Sequence, residues 1–239
     1  MFKPKSFSYE LDTEGLSINE VAELNNIHFN RKDYDWWYEV LPGDVVVDVG
    51  CGIGAFAASA LDKGAEKVYM IEPNRRQLKT AVKNVSDYII DRTQKAVFPI
   101  HAAMGRTDID LSNVFKSSTH IESELEPRLM TFNELTDTHK IEKIDFLKID
   151  AAGAEYNILH KEYFDYLFHN VRHIAVRCHL TSQYGGLVKF EEWRKSVLLP
   201  FMEAGKVNFQ GDNWRKIVSS PVSLDAIPAS SFMIYITNW

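Results

Sequence analysis

Apolar residues along this chain arrive in short runs of five or six, separated by stretches where they recur every three or four positions. Val45-Val46-Val47-Asp48-Val49 is one such run. It is short and β-branched, and it reads as a strand buried on both faces. Pro42-Gly43-Asp44 before it is a turn signal. Ala55 to Leu61 then reads as a small-residue helix closed by Gly64. Lys67 to Ile71 is a second strand. Asn74 is a candidate N-cap for a helix in which Leu78, Ala81, Val82 and Val85 recur at helical spacing. Residues 96–104 read as a third strand and Ile144 to Asp150 as a fourth, with Gly153-Ala154-Glu155 opening the next helix. His173 to Leu180 is a fifth strand, and helical spacing returns from Phe190 to Met202. The chain closes on Val207-Asn208-Phe209 and Ser231 to Thr237, two strands without a long helix between them, which predicts an antiparallel hairpin. Strand alternating with helix predicts an α/β fold with a doubly wound sheet.

Residues 1–41 stand apart as an N-terminal helical and aromatic extension, and residues 42–239 form the main domain. The extension holds Ile18 to Leu24, with a helical pattern, and the aromatic stretch Tyr34-Asp35-Trp36-Trp37-Tyr38. Those rings either pack against the sheet or form an aromatic wall over a substrate. Residues 107–143 are a long connection rich in Ser and Glu, with Glu122, Glu124 and Glu126 close together. Such a run is a solvated face, or part of a lid.

Composition narrows the class. Hydrophobic residues make up 45% and charged residues 25% of 239 positions, enough for a full core. The net charge of −6 carries no global footprint for nucleic acid, so none is expected as a partner. The 2 cysteines, Cys51 and Cys178, give no disulfide framework and fit a reducing compartment. The start, Met1-Phe2-Lys3-Pro4, lacks the apolar core of a secretory signal. No apolar run approaches the ~18 residues of a membrane span. A soluble, cytoplasmic protein with no membrane partner is the expectation.

The chemistry begins at Asp48, followed by Gly50, Cys51, Gly52 and Gly54. A dinucleotide fingerprint runs G-x-G-x-x-G, whereas this loop runs G-x-G-x-G and suits an adenosine ligand without pyrophosphate. Glu72, at the tip of the second strand, stands where an acid can accept from both ribose hydroxyls. The loop resembles motif I of the S-adenosylmethionine-dependent methyltransferases. Adding Ile71-Glu72-Pro73, Asn84 and the fourth-strand motif Leu147-Lys148-Ile149-Asp150 with Gly153-Ala154-Glu155, the chain resembles the FkbM family of these enzymes. The resemblance covers residues 40–180. It implies a Rossmann-like class I methyltransferase sheet with a C-terminal antiparallel hairpin. It also implies S-adenosylmethionine as cofactor and the hydroxyl oxygen of a sugar or other small metabolite as acceptor. The cofactor contacts it implies are Asp48, Gly50, Cys51, Gly52, Gly54, Glu72 and Ala103.

Two positions depart from the family pattern. The usual D-V-E-G-A-E is here Asp150-Ala151-Ala152-Gly153-Ala154-Glu155, and Arg177 stands where an acid usually precedes His179. Transfer to a hydroxyl needs in-line geometry and removal of one proton. His179 and Asp150 are the candidates, His179 as proton acceptor and Asp150 orienting substrate or contacting the cofactor's ammonium group, unless it caps the following helix. Glu155 reads as a first-turn acid facing the helix dipole. Lys148 shares a strand face with Asp150, and Arg177 is a candidate for binding an anionic substrate. No cysteine, histidine or carboxylate spacing fits a metal site, so none is expected. No N/D-P-P-aromatic run is present, which argues against amino-group methylation of nucleic-acid bases, and no Pro-Cys nucleophile exists for cytosine C5 chemistry. A family member that binds the cofactor without catalysis is the competing expectation, motivated by Ala152 and Arg177. A nicotinamide-dependent oxidoreductase is disfavoured by the glycine spacing.

Overall fold

The structure is a computed structural model that describes residues 11–30, 32–91, 96–105, 127–180, 186–209 and 231–239. Glu122, Glu124 and Glu126 lie outside the described residues. Helix α1 (Ile18–Asn25) opens on a capping box, in which the Ser17 hydroxyl accepts from Glu20 N–H and the Glu20 carboxylate accepts from Ser17 N–H. Strand β1 (Val45–Val49), helix α2 (Ala55–Asp62), strand β2 (Lys67–Ile71) and helix α3 (Arg75–Asp91) follow. Then come β3 (Ala96–Ile100), β4 (Ala102–Met104), β5 (Arg128–Met130), α4 (Phe132–His139) and β6 (Ile144–Ile149). The chain continues through α5 (Glu155–Ile158), α6 (Phe164–Asn170), β7 (Val171–His179) and α7 (Gly186–Trp193). It ends with α8 (Leu199–Glu203), β8 (Val207–Phe209) and β9 (Ser231–Thr237). Seven strands form one sheet in the order β3-β2-β1-β6-β7-β9-β8. This is a Rossmann-like, doubly wound α/β architecture, with antiparallel strands at its C-terminal end.

Two compact units divide the chain, the first holding residues up to Ala103 with Asp145–Lys148, the second Leu129–Ile144 and Ile149–Trp239. In the first, β1 pairs in parallel with β2, and β2 with β3. Helix α2 buries Ala55, Phe56, Ala57, Ala58, Ala60 and Leu61. Lys63 caps it and Gly64 follows at φ 105°, the left-handed residue that stops the helix. Asn74 caps α3 as expected, its side-chain oxygen accepting from Arg76 and Gln77 N–H at 3.0 and 3.2 Å. The aromatic stretch divides by position. Tyr34 meets Phe56 edge-on at 5.5 Å and Tyr38 stacks on Phe146 at 6.0 Å, whereas Trp36 and Trp37 are exposed.

In the second unit, β9 pairs antiparallel with both β7 and β8, so the later strand lies between the two earlier ones. Phe190, Trp193, Val197, Leu198 and Phe201 line one buried helical stretch. Trp193 Nε1 donates to Leu159 O at 2.8 Å, as a buried indole requires.

The single third strand expected over residues 96–104 is two strands. His101 breaks the run, its ring nitrogen lying 2.9 Å from Pro73 O, and Ala102–Met104 pairs with β5 in a separate two-stranded sheet. An apolar run by itself does not say which partner each half takes. Asp150 is the first residue past β6, and the helix after Gly153 lasts four residues. No helix among the described residues is long and apolar enough to cross a membrane.

Candidate functional site

The glycine loop is built by β1 ending beside β2. Gly50 and Cys51 N–H both donate to Ile71 O, at 2.9 and 3.1 Å, which turns the chain across the tip of β2. Gly50, Gly52 and Gly54 all take positive φ, at 71°, 55° and 80°. At Gly54 the requirement is doubled, because a Cβ there would lie 2.9 Å from Ala81 Cβ and 3.0 Å from Ala81 Cα. At Gly52 a Cβ would meet nothing nearer than Gln77 Oε1 at 3.9 Å, so the outer face of the loop is open.

Glu72 clasps this loop. One carboxylate oxygen accepts Gly52 N–H at 2.9 Å and the other accepts Asn74 N–H at 2.8 Å. Burial raises its pKa, against the lowering effect of those two amides. Each carboxylate oxygen has a second lone pair, so the group retains acceptor capacity for ribose hydroxyls. Asn84 adds a tie from α3, donating to Ile53 O at 2.8 Å and Asp12 O at 3.0 Å while accepting Asp12 N–H. The residues present therefore fit an adenosyl group: open space over glycine, and an acid at the strand tip.

Asp48 is wholly buried and forms an ion pair with Lys148 Nζ at 2.8 Å. It bears on the loop from beneath. Lys148 thus pairs with Asp48, a partner a hundred residues away that the strand-face argument did not find. Cys51 is buried, and burial pushes its thiol well above the ordinary value, which leaves no thiolate for chemistry at neutral pH. Ala103 is buried on β4.

A second cluster lies in the second unit. His179 ends β7, with Nδ1 at 3.1 Å from Glu155 Oε1 and Nε2 at 3.6 Å from Asp150 Oδ1. Glu155 is fixed by two backbone amides, Gly153 N–H at 2.7 Å and His179 N–H at 2.6 Å. Its carboxylate accepts the Nδ1 proton, which leaves the Nε2 lone pair on the neutral ring. Tyr156 Oη donates to His179 O at 2.8 Å and holds that strand end from the other side. Burial of His179 opposes its charge, but the Glu155 hydrogen bond and the charges of Glu155 and Asp150 outweigh it, and the net shift is upward.

Arg177 Nε donates to Asp150 Oδ2 at 3.0 Å. The guanidinium expected to meet an anionic substrate therefore neutralises an acid of the protein itself. Asp150 does not cap the next helix, since that position belongs to Ala154. Ala152 is exposed in the turn between them, at φ 48°. Glu155 is the residue that sequence reasoning placed only at a helix start. Its role follows from β7 bringing His179 to it. Among the described residues no group of three or more His, Cys, Asp or Glu side chains is gathered as a metal site.

No curated protein matches the chain in sequence. Among solved structures it is similar to methyltransferase FkbM from Methylobacillus flagellatus KT, with TM-score 0.53, 14% identity, and coverage of 89% of this chain and 47% of that one. This chain thus spans about half the length of that relative. It is also similar to Aeropyrum pernix fibrillarin in complex with natively bound S-adenosyl-L-methionine, with TM-score 0.42, 17% identity, and 83% and 68% coverage. A SAM-dependent O-methyltransferase from Thermotoga maritima has TM-score 0.42, 16% identity, and 95% and 67% coverage. The sequence matches the methyltransferase FkbM domain over residues 48–206, from the acid of the glycine loop through Glu72, Asp150, Glu155 and His179. That match spans more than half of the chain, which belongs to the FkbM family of S-adenosylmethionine-dependent methyltransferases.

Proposed function

We propose that this chain is an S-adenosylmethionine-dependent O-methyltransferase acting on a hydroxyl of a sugar or another small metabolite. The observation that carries the reading is the Glu155–His179 pair: an imidazole whose Nδ1 meets a buried carboxylate at 3.1 Å and whose Nε2 lies 3.6 Å from Asp150 Oδ1. When bound, S-adenosylmethionine supplies the methyl group as part of a sulfonium that departs as a neutral thioether. The loop Gly50–Gly54 and Glu72 hold the adenosyl end. His179 Nε2 takes the hydroxyl proton as the acceptor oxygen forms its bond to carbon. Glu155 fixes the ring and, with Asp150, stabilises the imidazolium that results. Arg177 keeps Asp150 from adding its full charge.

The test is transfer of an isotopically labelled methyl group from S-adenosylmethionine to a panel of sugar and small-metabolite hydroxyls. Labelled methyl ether supports the reading. Label found only on amines, or on nucleic-acid bases, overturns it. The competing reading, a cofactor-binding member without catalysis, is motivated by Ala152 and by Arg177 tied to Asp150. Tight cofactor binding with no transfer to any acceptor would favour it.

Glu72→Ala should weaken S-adenosylhomocysteine binding on the order of 10- to 100-fold, because hydrogen bonds to a charged group contribute about 1.5–3 kcal/mol. Calorimetric titration measures this. Unchanged affinity in a folded variant would place the ribose elsewhere.

The pH dependence has a definite sign. The proton acceptor must be neutral, and the folded protein raises the pKa of His179 above its ordinary 6.5. Turnover should therefore be low at acid pH and climb through a midpoint above that value. Glu155→Gln removes the charge that favours the imidazolium, so its midpoint should fall. A pH–kcat/KM profile that does not move in Glu155→Gln would detach Glu155 from the proton transfer.

A further inference from the structure

Lys148 has no part in the reaction derived above, yet it is 4% exposed in the floor of the glycine loop. Its ammonium lies 2.8 Å from Asp48 Oδ1, 2.6 Å from Gly50 O and 3.4 Å from Val49 O. The Tyr34 ring centroid is 5.1 Å from the same nitrogen. The contacts are of different kinds: a carboxylate, two consecutive backbone carbonyls and an aromatic face. Such surroundings fix a compact cation in one place.

The carbonyl contact has a consequence for the loop. Gly50 is left-handed at φ 71°, and its half-buried carbonyl accepts from the Lys148 ammonium. On the far side, the loop N–H groups of Gly50 and Cys51 are held by Ile71 O, and that of Gly52 by Glu72. Lys148 therefore anchors the start of the loop from below while Glu72 anchors its middle from the tip of β2. Asp48 compensates the charge of Lys148, and that makes the buried ammonium tolerable.

We infer that Lys148 is a positioning residue for cofactor binding. Its ammonium, neutralised by Asp48, sets the peptide orientation at Gly50 that shapes the glycine loop for the adenosyl ligand. This rests on the reading that residues 50–54 hold that ligand. It predicts that losing the cation harms the loop locally, in the ligand-free protein as well as in the complex.

The experiment compares Lys148→Met, Asp48→Asn and the double variant with the wild-type chain by two readouts. The first is amide hydrogen exchange of the ligand-free protein at Gly52 and Gly54, relative to Val68 and Met70 in β2. The second is calorimetric titration with S-adenosylhomocysteine. Lys148→Met should raise loop exchange about 10- to 100-fold relative to β2 and weaken binding by a similar factor, the scale of lost charged-group hydrogen bonds. Adding Asp48→Asn should restore part of the affinity, since no buried carboxylate is then left without its cation. Should Lys148→Met fail to fold, the double variant carries the same test, because it keeps no lone charge but still lacks the donor to Gly50 O. A merely structural role would raise loop and β2 exchange together, and that result overturns the inference, as does wild-type affinity in a folded Lys148→Met. If the wild-type chain does not bind S-adenosylhomocysteine, the cofactor reading falls, and the exchange ratio still decides whether Lys148 sets the loop.

Discussion

His179→Ala should lower methyl transfer to a hydroxyl acceptor by about 10²–10⁴-fold, the usual contribution of a single general base. The fold should tolerate the change. Glu155 would lose the ring Nδ1 but keep the backbone amides of Gly153 and His179 at 2.7 and 2.6 Å. Those two amides belong to the main chain, which the substitution leaves in place. S-adenosylhomocysteine affinity should change little, since the adenosyl contacts are assigned to the glycine loop and Glu72. Single-turnover rates with labelled cofactor measure the first quantity, and titration the second. Full activity in His179→Ala would remove this residue from the mechanism. A loss of binding equal to the loss of rate would instead assign it to the cofactor.

Gly54→Ala carries the largest stability effect we expect. Its left-handed backbone at φ 80° costs an L-residue roughly 1–2 kcal/mol. The new Cβ would lie 2.9 Å from Ala81 Cβ, 3.0 Å from Ala81 Cα and 3.3 Å from Ala81 O, all on α3. The neighbouring atoms are backbone and a short side chain, so no flexible group can yield, and overpacking adds roughly 1–3 kcal/mol. Together these predict a loss of about 2–5 kcal/mol, read as a fall in Tm of roughly 4–20 °C for a chain of this size. Adding Ala81→Gly should recover only part, because Ala81 Cα remains close. Gly52→Ala is the control, since the nearest atom to its Cβ would be 3.9 Å away. It should cost far less in Tm while still obstructing the ligand side of the loop. Equal losses at the two glycines would mean that backbone conformation alone matters, and that α2 and α3 do not meet as described.

The parts of the fold readable beforehand share one property: their signals are local. Val45–Val49, the glycine turn, α2 and β2 follow one another within thirty residues, and each is marked by a short apolar run, a helical repeat or a turn residue. Asn74 as a cap and Gly64 as a helix end belong to the same class, since a cap acts on amides two or three residues away. The terminal antiparallel strands were legible for a negative reason, the lack of a helix long enough for a parallel crossover.

What the residues could not disclose depends on contacts between distant segments. Residues 96–104 form one apolar run, but only tertiary structure decides that Ala102–Met104 leaves β2 for β5. In residues 34–38, alternate positions look alike in sequence, yet packing against Phe56 buries Tyr34 and Tyr38 is half-buried on Phe146, while Trp36 and Trp37 stay exposed. Lys148 had an evident neighbour on its strand face, Asp150, yet its ion pair is with Asp48 on β1. Asp150 turns to Arg177, and Glu155 to a histidine 24 residues on. By itself the sequence determined which residues form the glycine loop, because a loop between consecutive elements is nearly a local object. The tertiary structure decided which charges meet, because a buried charge takes the opposite charge that the sheet order brings to it, whatever their separation along the chain.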